Sequence, residues 1–340
     1  MAVGTRPDVE AAVAVGALEV DYVLRSAARE VMPTVSVVVT TRNHGPYLRD
    51  AIAAIGAQEL DGEVETIVCD NASTDDTAAL MRAIVESAER PLTYVRLKKD
   101  IGPARSRNIG MELARGRFTA FTDADCLPRP GWLQAAVAQF ESERVGVVQG
   151  RTVPTELRVP LFEHHIAIDS LDGTFATANL VYRHGALRGL EFDPRCAYWE
   201  DVDLGWRVLA AGYEAAFAPD AVVAHRVITL TPWQWVTWPT HYASLPAIVR
   251  RHPGYRRHLF LGIWVRPLHL LFDIALAGAI AALWRWEAAL LVIPYLVAFF
   301  RTRGVKGRFP PAKIAAHLAW DVVAFATLAT ASVRNRALVL

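Results

Sequence analysis

Between residues 35 and 149 short apolar runs alternate with amphipathic stretches, and this alternation constrains the fold more than any other feature of the chain. The run Val35-Ser36-Val37-Val38-Val39-Thr40 is β-branched and apolar on both faces, as a buried parallel strand must be. Asn43-His44-Gly45-Pro46 reads as a turn and residues 47–55 as a helix. Residues 64–69 read as a second strand, followed by Asp70–Asp76, rich in helix-capping side chains, and a helix from Thr77 to about Ala88. A strand follows at 92–97. Gly102-Pro103 opens another helix to about Ala114, with proline well placed in a first turn. Strands at 118–122 and 145–149 flank a helix at 132–140. Strands that alternate with helices in this way predict an α/β fold whose parallel sheet carries helices on both faces.

The flanking regions are less regular. Residues 1–32 are Ala-rich with interspersed charges and read as a helical leader, and no basic start followed by a compact apolar core marks a signal peptide. Beyond residue 150 the expected elements are a strand at 177–182, a helix at 201–210 that Gly212 terminates, and short strands at 215–217 and 222–224. No internal repeat is evident. The organisation expected is a leader over 1–32, a catalytic body over 33–230 and a tail over 231–340.

Charge divides the chain at the same place. Up to Asp220 there are 22 basic and 32 acidic side chains; from Ala221 there are 14 basic and three acidic ones (Asp273, Glu287, Asp321), although the whole chain sums to +1. An acidic body argues against a nucleic-acid binder. Three cysteines (Cys69, Cys126, Cys196) without a CxxC exclude a disulfide scaffold and a cysteine-based zinc site, and suit a reducing compartment.

In open α/β sheets, ligands bind beyond the carboxyl ends of the strands. Four polar clusters fall at or near such positions: Thr40-Thr41-Arg42-Asn43, Asp70 to Asp75, Gly102 to Asn108, and Asp123-Ala124-Asp125. Two carboxylates one residue apart at a strand end suit a divalent cation held together with substrate phosphates, and hard oxygen ligands point to Mg2+ or Mn2+. Downstream, Glu200-Asp201 opens the helix carrying Leu204 and Val208, where acids also suit the helix dipole. His225 follows the apolar pair Val222-Val223.

In order and spacing, Thr40-Thr41-Arg42-Asn43, Cys69-Asp70-Asn71-Ala72-Ser73-Thr74-Asp75, Gly102-Pro103-Ala104-Arg105-Ser106-Arg107-Asn108, Thr122-Asp123-Ala124-Asp125 and Trp199-Glu200-Asp201 resemble the motifs of family 2 glycosyltransferases. The resemblance covers residues 33–227. It implies the GT-A nucleotide-diphospho-sugar transferase fold and inverting transfer of a sugar from a nucleotide-diphosphate donor, assisted by a divalent cation. It implies that Asp70 binds the base, with Thr40, the backbone of Thr41, Arg42 and Asn43, and the loop of Asn71, Ser73 and Asp75 beneath it. Gly102, Arg105 and Asn108 would lie near the nucleotide and its phosphates, where a helix N-terminus favours anions. Asp123, beside Ala124, would contact the ribose, and Asp125 and His225 would hold the metal. Asp201 would be the general base, with Glu200 and Trp199 raising its proton affinity through like charge and desolvation.

The tail is basic and carries seven of the ten tryptophans, from Trp233 onward. Trp with Arg suits a membrane interface. Apolar runs at 267–284 and 288–300, bracketed by Arg266 and Arg301–Arg308, predict a helical hairpin with its basic ends on the cytosolic side. In-plane helices and a soluble helical cap are the alternatives, and a third apolar stretch runs over 314–333. The expectation is a cytoplasmic-membrane enzyme, its catalytic domain on the cytosolic side, acting on a lipid-linked or glycan acceptor. Processive synthases of the family carry Gln-x-x-Arg-Trp after the acidic pair. Here Gln234-Trp235-Val236-Thr237-Trp238 has Thr in place of Arg, which favours single-sugar transfer over processive synthesis. A non-catalytic nucleotide-sugar-binding subunit would be marked by a broken DxD or acidic pair, and neither is broken.

Overall fold

The computed structural model describes residues 19–28, 32–156, 162–303 and 311–340. These divide into two compact units. The first comprises the chain up to 157, 165–196 and 200–227; the second comprises 158–164, 197–199 and 228–340.

In chain order the strands are β1 (Val20–Arg25), β2 (Val35–Thr41), β3 (Val64–Asp70), β4 (Leu92–Leu97), β5 (Phe118–Asp123), β6 (Cys126–Pro128), β7 (Val145–Pro154), β8 (Glu163–His164), β9 (Leu180–Arg183), β10 (Glu214–His225) and β11 (Ile228–Thr229). The helices are α1 (Gly45–Gly56), α2 (Thr77–Ser87), α3 (Pro103–Leu113), α4 (Trp132–Val137), α5 (Glu200–Ala210), α6 (Pro232–Thr237), α7 (Leu245–Arg251), α8 (Pro267–Ala281), α9 (Ile293–Arg303) and α10 (Pro311–Asn335).

The first unit is a nine-stranded sheet in the order β1-β4-β3-β2-β5-β9-β7-β10-β6. Its centre, β4-β3-β2-β5, is parallel, as the alternation predicts. The sheet as a whole is mixed, because β1, β6 and β9 run antiparallel to their neighbours. Valines of β2 alternate between faces. Val35, Val37 and Val39 join the core under α1, α2 and α4, while Ile67 and Cys69 of β3 face α3 with Val95, Leu97 and Ile109. Helix α3 lies close on the sheet at Gly110, where a Cβ would stand 2.4 Å from Val38 Cγ1. No larger residue fits there without displacing the strand or the helix.

Three elements differ from the sequence expectation. The helix expected across 1–32 is replaced at its end by β1; residues 1–18 and 29–31 lie outside the described residues. The physical reason is tertiary. Strand β4 has a free edge, and β1 pairs with it while Tyr22 and Leu24 pack on one core and Val20 and Val23 on the other. The strand expected at 177–182 begins only at Leu180, after a 3-10 turn over Thr177–Asn179. The two short strands at 215–217 and 222–224 are one strand, β10, whose register on β7 shifts between Ala218 and Val222.

In the second unit β8 and β11 form a two-stranded ladder, and α6 to α10 with intervening 3-10 turns make a helical body. Ala275, Tyr295 and Phe299 form a small core with Phe272, Leu271 and Ile314 around it. Asp321 is buried and takes both arms of Arg303 at 2.7 Å and the Tyr295 hydroxyl at 2.6 Å. The expected spanning hairpin is not supported by helix length. Helix α8 has 15 residues and α9 has 11 among the described residues, roughly 22 and 16 Å at 1.5 Å per residue, against a hydrocarbon core of about 30 Å. Helix α10, with 25 residues, is the described helix long and apolar enough to cross a membrane.

Candidate active site

Strand order places the polar clusters of the first unit. From β2 the chain steps outward to β3 and β4, then returns through α3 to β5 on the other side of β2. The carboxyl ends of β2 and β5 therefore flank a topological switch point, where open sheets leave a crevice. In register, Thr40 stands beside both Cys69 and Asp123, and Thr41 beside Asp70.

The loops after β2 and β3 are clasped together. Asn43, in the left-handed region at φ 58°, accepts the Thr74 N–H at 2.7 Å, and its own N–H donates to Ser73 Oγ at 2.9 Å. Asp70 is fully buried. Its carboxylate accepts from the Ser73 N–H (2.8 Å), the Tyr94 hydroxyl (2.6 Å) and Arg96 Nη1 (2.9 Å). Asp75 accepts from Thr77 and from the Gly45 N–H. Burial alone would raise its carboxyl, but these hydrogen bonds outweigh it and hold the group below the usual range. Arg42 is exposed and paired with Asp100 at 2.7 Å. Asn71 donates to the same Asp100 and accepts the Ile101 N–H, which fixes the Gly102 turn at φ 83° ahead of α3. Asp70, Asn71, Asn43, Ser73 and Asp75 therefore tie the loops after β2 and β3 to each other and to the turn before α3. Thr40 is half-buried, and Thr41 is buried with an Oγ1 that has no partner among the described residues.

On α3 the structure separates two arginines that the sequence places two residues apart. Positions i and i+2 lie on opposite sides of a helix. Arg105 is exposed and reaches Glu19 at 3.3 Å. Arg107 is buried and faces the acids: Nη1 donates to Glu200 Oε1 at 2.5 Å and Nη2 to Asp123 Oδ1 at 3.3 Å. Burial alone would lower its proton affinity, but Asp123, Glu200 and Asp201 outweigh that, and the guanidinium stays charged. Sequence reasoning passed over Arg107; the signal was its position, one helical face away from Arg105. Asn108 exchanges two hydrogen bonds with the backbone of Phe192, at 2.7 and 2.8 Å, so its amide anchors α3 to the chain leading toward the acid pair.

Asp125 and His225 meet because β6 pairs with β10, which sets His225 opposite Cys126. His225 Nε2 is 3.8 Å from Asp125 Oδ2, and both side chains are buried. His225 Nδ1 lies 2.6 Å from the Arg226 carbonyl, a contact that fixes the ring with Nε2 toward Asp125. Burial and then the Asp123 charge push the Asp125 carboxyl up, while His225 and His44 pull it back. Cys126 Sγ lies in the same cluster, but burial and the two aspartates hold its thiol well above the ordinary value, so it stays protonated. A buried carboxylate and imidazole side by side are a donor set that fits a divalent cation. Ala124 between the two aspartates is buried.

Glu200 and Asp201 open α5. Burial first, and then the Glu200 charge, raise the Asp201 carboxyl to about 7, with Arg107 and the Val202 N–H opposing. Beneath the site Asn179 pins three elements: its Oδ1 accepts from Trp132 Nε1, and its Nδ2 donates to the Arg151 and Ala221 carbonyls, all at 2.8 Å.

The pattern of the family "Glycosyl transferase family 2" matches residues 36–193. The chain is 28% identical over 236 residues to the pre-mycofactocin glycosyltransferase of Mycobacterium tuberculosis, covering 64% of this chain and 48% of that protein. It is 30% identical over 211 residues to the succinoglycan biosynthesis protein ExoO of Rhizobium meliloti, covering 56% and 60%. The chain thus spans about half the length of the mycobacterial relative it matches. Among solved structures it resembles the mannosyltransferase PcManGT of Pyrobaculum calidifontis in complex with GDP-Man and Mn2+, with TM-score 0.55, 22% identity and 92% and 90% of the two chains covered. It also resembles S. aureus TarS 1-349 in complex with UDP-GlcNAc, with TM-score 0.51, 17% identity and 89% and 92% covered. These structural likenesses establish the GT-A fold. Residues 36–193 thus carry the pattern of glycosyl transferase family 2 on a sheet of that fold.

Proposed function

We propose that the chain transfers a single sugar, with inversion, from a nucleotide-diphosphate sugar to a hydroxyl or phosphate of a lipid-linked or cell-envelope glycan acceptor. The observation that carries this reading is the gathering, within one unit, of the Asp125–His225 pair and of the Glu200–Asp201 acid pair, which Arg107 ties to Asp123 at the start of the Asp123-Ala124-Asp125 motif. For a hydroxyl acceptor, Asp201 takes the proton as the acceptor oxygen bonds to the anomeric carbon. The bond from that carbon to the phosphate oxygen breaks, and its electron pair leaves with the nucleoside diphosphate. An ionisation near neutral pH suits a general base. A divalent cation held by Asp125 and His225 would neutralise the diphosphate leaving group. The base lies over the clasped loops of Asn43, Asp70 and Ser73, with Asp123 toward the ribose, and the donor class agrees with the GDP-Man and UDP-GlcNAc of the related structures.

Single-sugar transfer is favoured because Thr237 replaces the expected arginine and Gln234 is committed to a capping box with Thr231. The second unit attaches the enzyme to the cytosolic face of the cytoplasmic membrane, a reading supported by its basic excess and by α10. The test is a panel of nucleotide sugars scored by nucleoside diphosphate release, in detergent with membrane lipids and with Mn2+ or Mg2+. One donor should be consumed in a metal-dependent way; no release with any donor would contradict the reading.

A further inference from the structure

At the start of α5, burial and the neighbouring Glu200 charge both oppose ionisation of Asp201. The side chain of Glu200 is 9% exposed and that of Arg107 10%. Asp201 is faced by Glu200 and the Val202 N–H on its own helix, by the Thr177 backbone, by Tyr182 on β9 and by Arg107 on α3. Burial and the Asp201 charge push the Tyr182 phenol well up, so it brings no charge of its own. Arg207, the other nearby cation, is bound to Asp203 at 2.8 Å and to the Glu191 carbonyl. Among the described residues Arg107 is therefore the cation that serves the acid pair. Its fork is held in place: the guanidinium lies 5.8 Å from the Phe192 ring centroid, and Asn108 fastens the Phe192 backbone to α3.

We propose that Arg107 is a positioning residue that joins Asp123 on the donor side to Glu200 on the acceptor side, and so keeps Asp201 ionised and aimed for proton transfer. The proposal rests on the reading of Asp201 as the base. A guanidinium spans two carboxylates with separate nitrogens, whereas an ammonium supplies charge without the fork. Charge and geometry can therefore be separated by substitution.

The experiment is kcat/KM against pH for wild type, Arg107→Gln, Arg107→Lys and Glu200→Gln at saturating divalent cation, with thermal melts to verify folding. Loss of the cation should move the acidic limb of Arg107→Gln upward by about one pH unit, a further tenfold loss of rate below the limb. Arg107→Lys should keep the limb near the wild-type position on a lowered plateau. Glu200→Gln, which removes the like charge, should move the limb down. A lowered profile for Arg107→Gln with an unmoved limb would overturn the proposal. If Arg107→Gln does not fold, an unmoved limb in Glu200→Gln does the same. Failure of the base itself reads differently, as wild-type transfer by Asp201→Asn.

Discussion

The two units both pair buried charges but treat apolar surface differently, and the second holds the matched pair Arg303–Asp321. In the first, the buried charges are matched: Asp70 with Arg96, Glu65 with Arg115, Arg107 with Asp123 and Glu200, Asp203 with Arg207. In the second, large apolar side chains stand in the open. Leu283, Trp284 and Trp286, between α8 and α9, are 79%, 78% and 75% exposed, beside Arg285. Several matched buried pairs, Arg107 with two acids among them, lie in the first unit. A contiguous exposed apolar surface rich in Trp and Arg marks one shaped for contact with something other than water.

The largest effect that would sharpen this contrast is expected at Asp201. Asp201→Asn should lower kcat by about 10^3-fold, within the range for loss of a general base, while donor binding measured by calorimetry stays within twofold. Wild-type turnover would remove Asp201 from the chemistry. Asp125→Asn should raise the Mn2+ concentration for half-maximal activity by roughly tenfold or more, because His225 alone is a poor site for a divalent cation. An unchanged metal titration would move the cation elsewhere.

Effects on the framework are smaller. Asn179→Ala leaves the Trp132 N–H and two carbonyls without their buried partner and should cost about 3 kcal/mol, read as a lower midpoint in urea. The substitution Trp284→Ser with Trp286→Ser should weaken partitioning onto anionic vesicles by roughly tenfold, with transfer to a water-soluble acceptor unchanged. If vesicle binding were unaffected, the exposed tip would not be the contact surface. If a carbonate wash left the protein in membranes, α10 would be the segment that holds it there.

How much of this was legible in the sequence follows from the range of the interactions involved. Strands β2 to β5 and helices α1 to α3 could be read because each is set by local periodicity and by capping or turn residues such as Pro103. The polar clusters could be read because they sit where such strands end. Arg107 could not be chosen over Arg105 without the face of α3 that meets α5, a relation spanning 93 residues. Asn179 was hidden because its partners, Trp132, Arg151 and Ala221, come from three separate elements. The strand β1 was misread as helix because its pairing with β4 is a tertiary fact. Alanine-rich sequence before it carries helical propensity that the sheet edge overrides at Val20. The tail hairpin was misjudged because apolar composition does not reveal where a helix stops. A 3-10 segment over Trp286–Val292 interrupts the run, so that α9 starts only at Ile293.

The central claim is that Asp201, beside buried Glu200, takes the proton of the acceptor hydroxyl, and the pH dependence of wild-type kcat/KM tests it most directly. A base with its proton affinity raised to about 7 is ionised above that value and protonated below it, so activity falls as pH drops through that point. The account predicts an acidic limb near neutral pH, tenfold lower per unit below it. A profile flat from pH 5 to 8, or a limb in the ordinary carboxylate range, would contradict it.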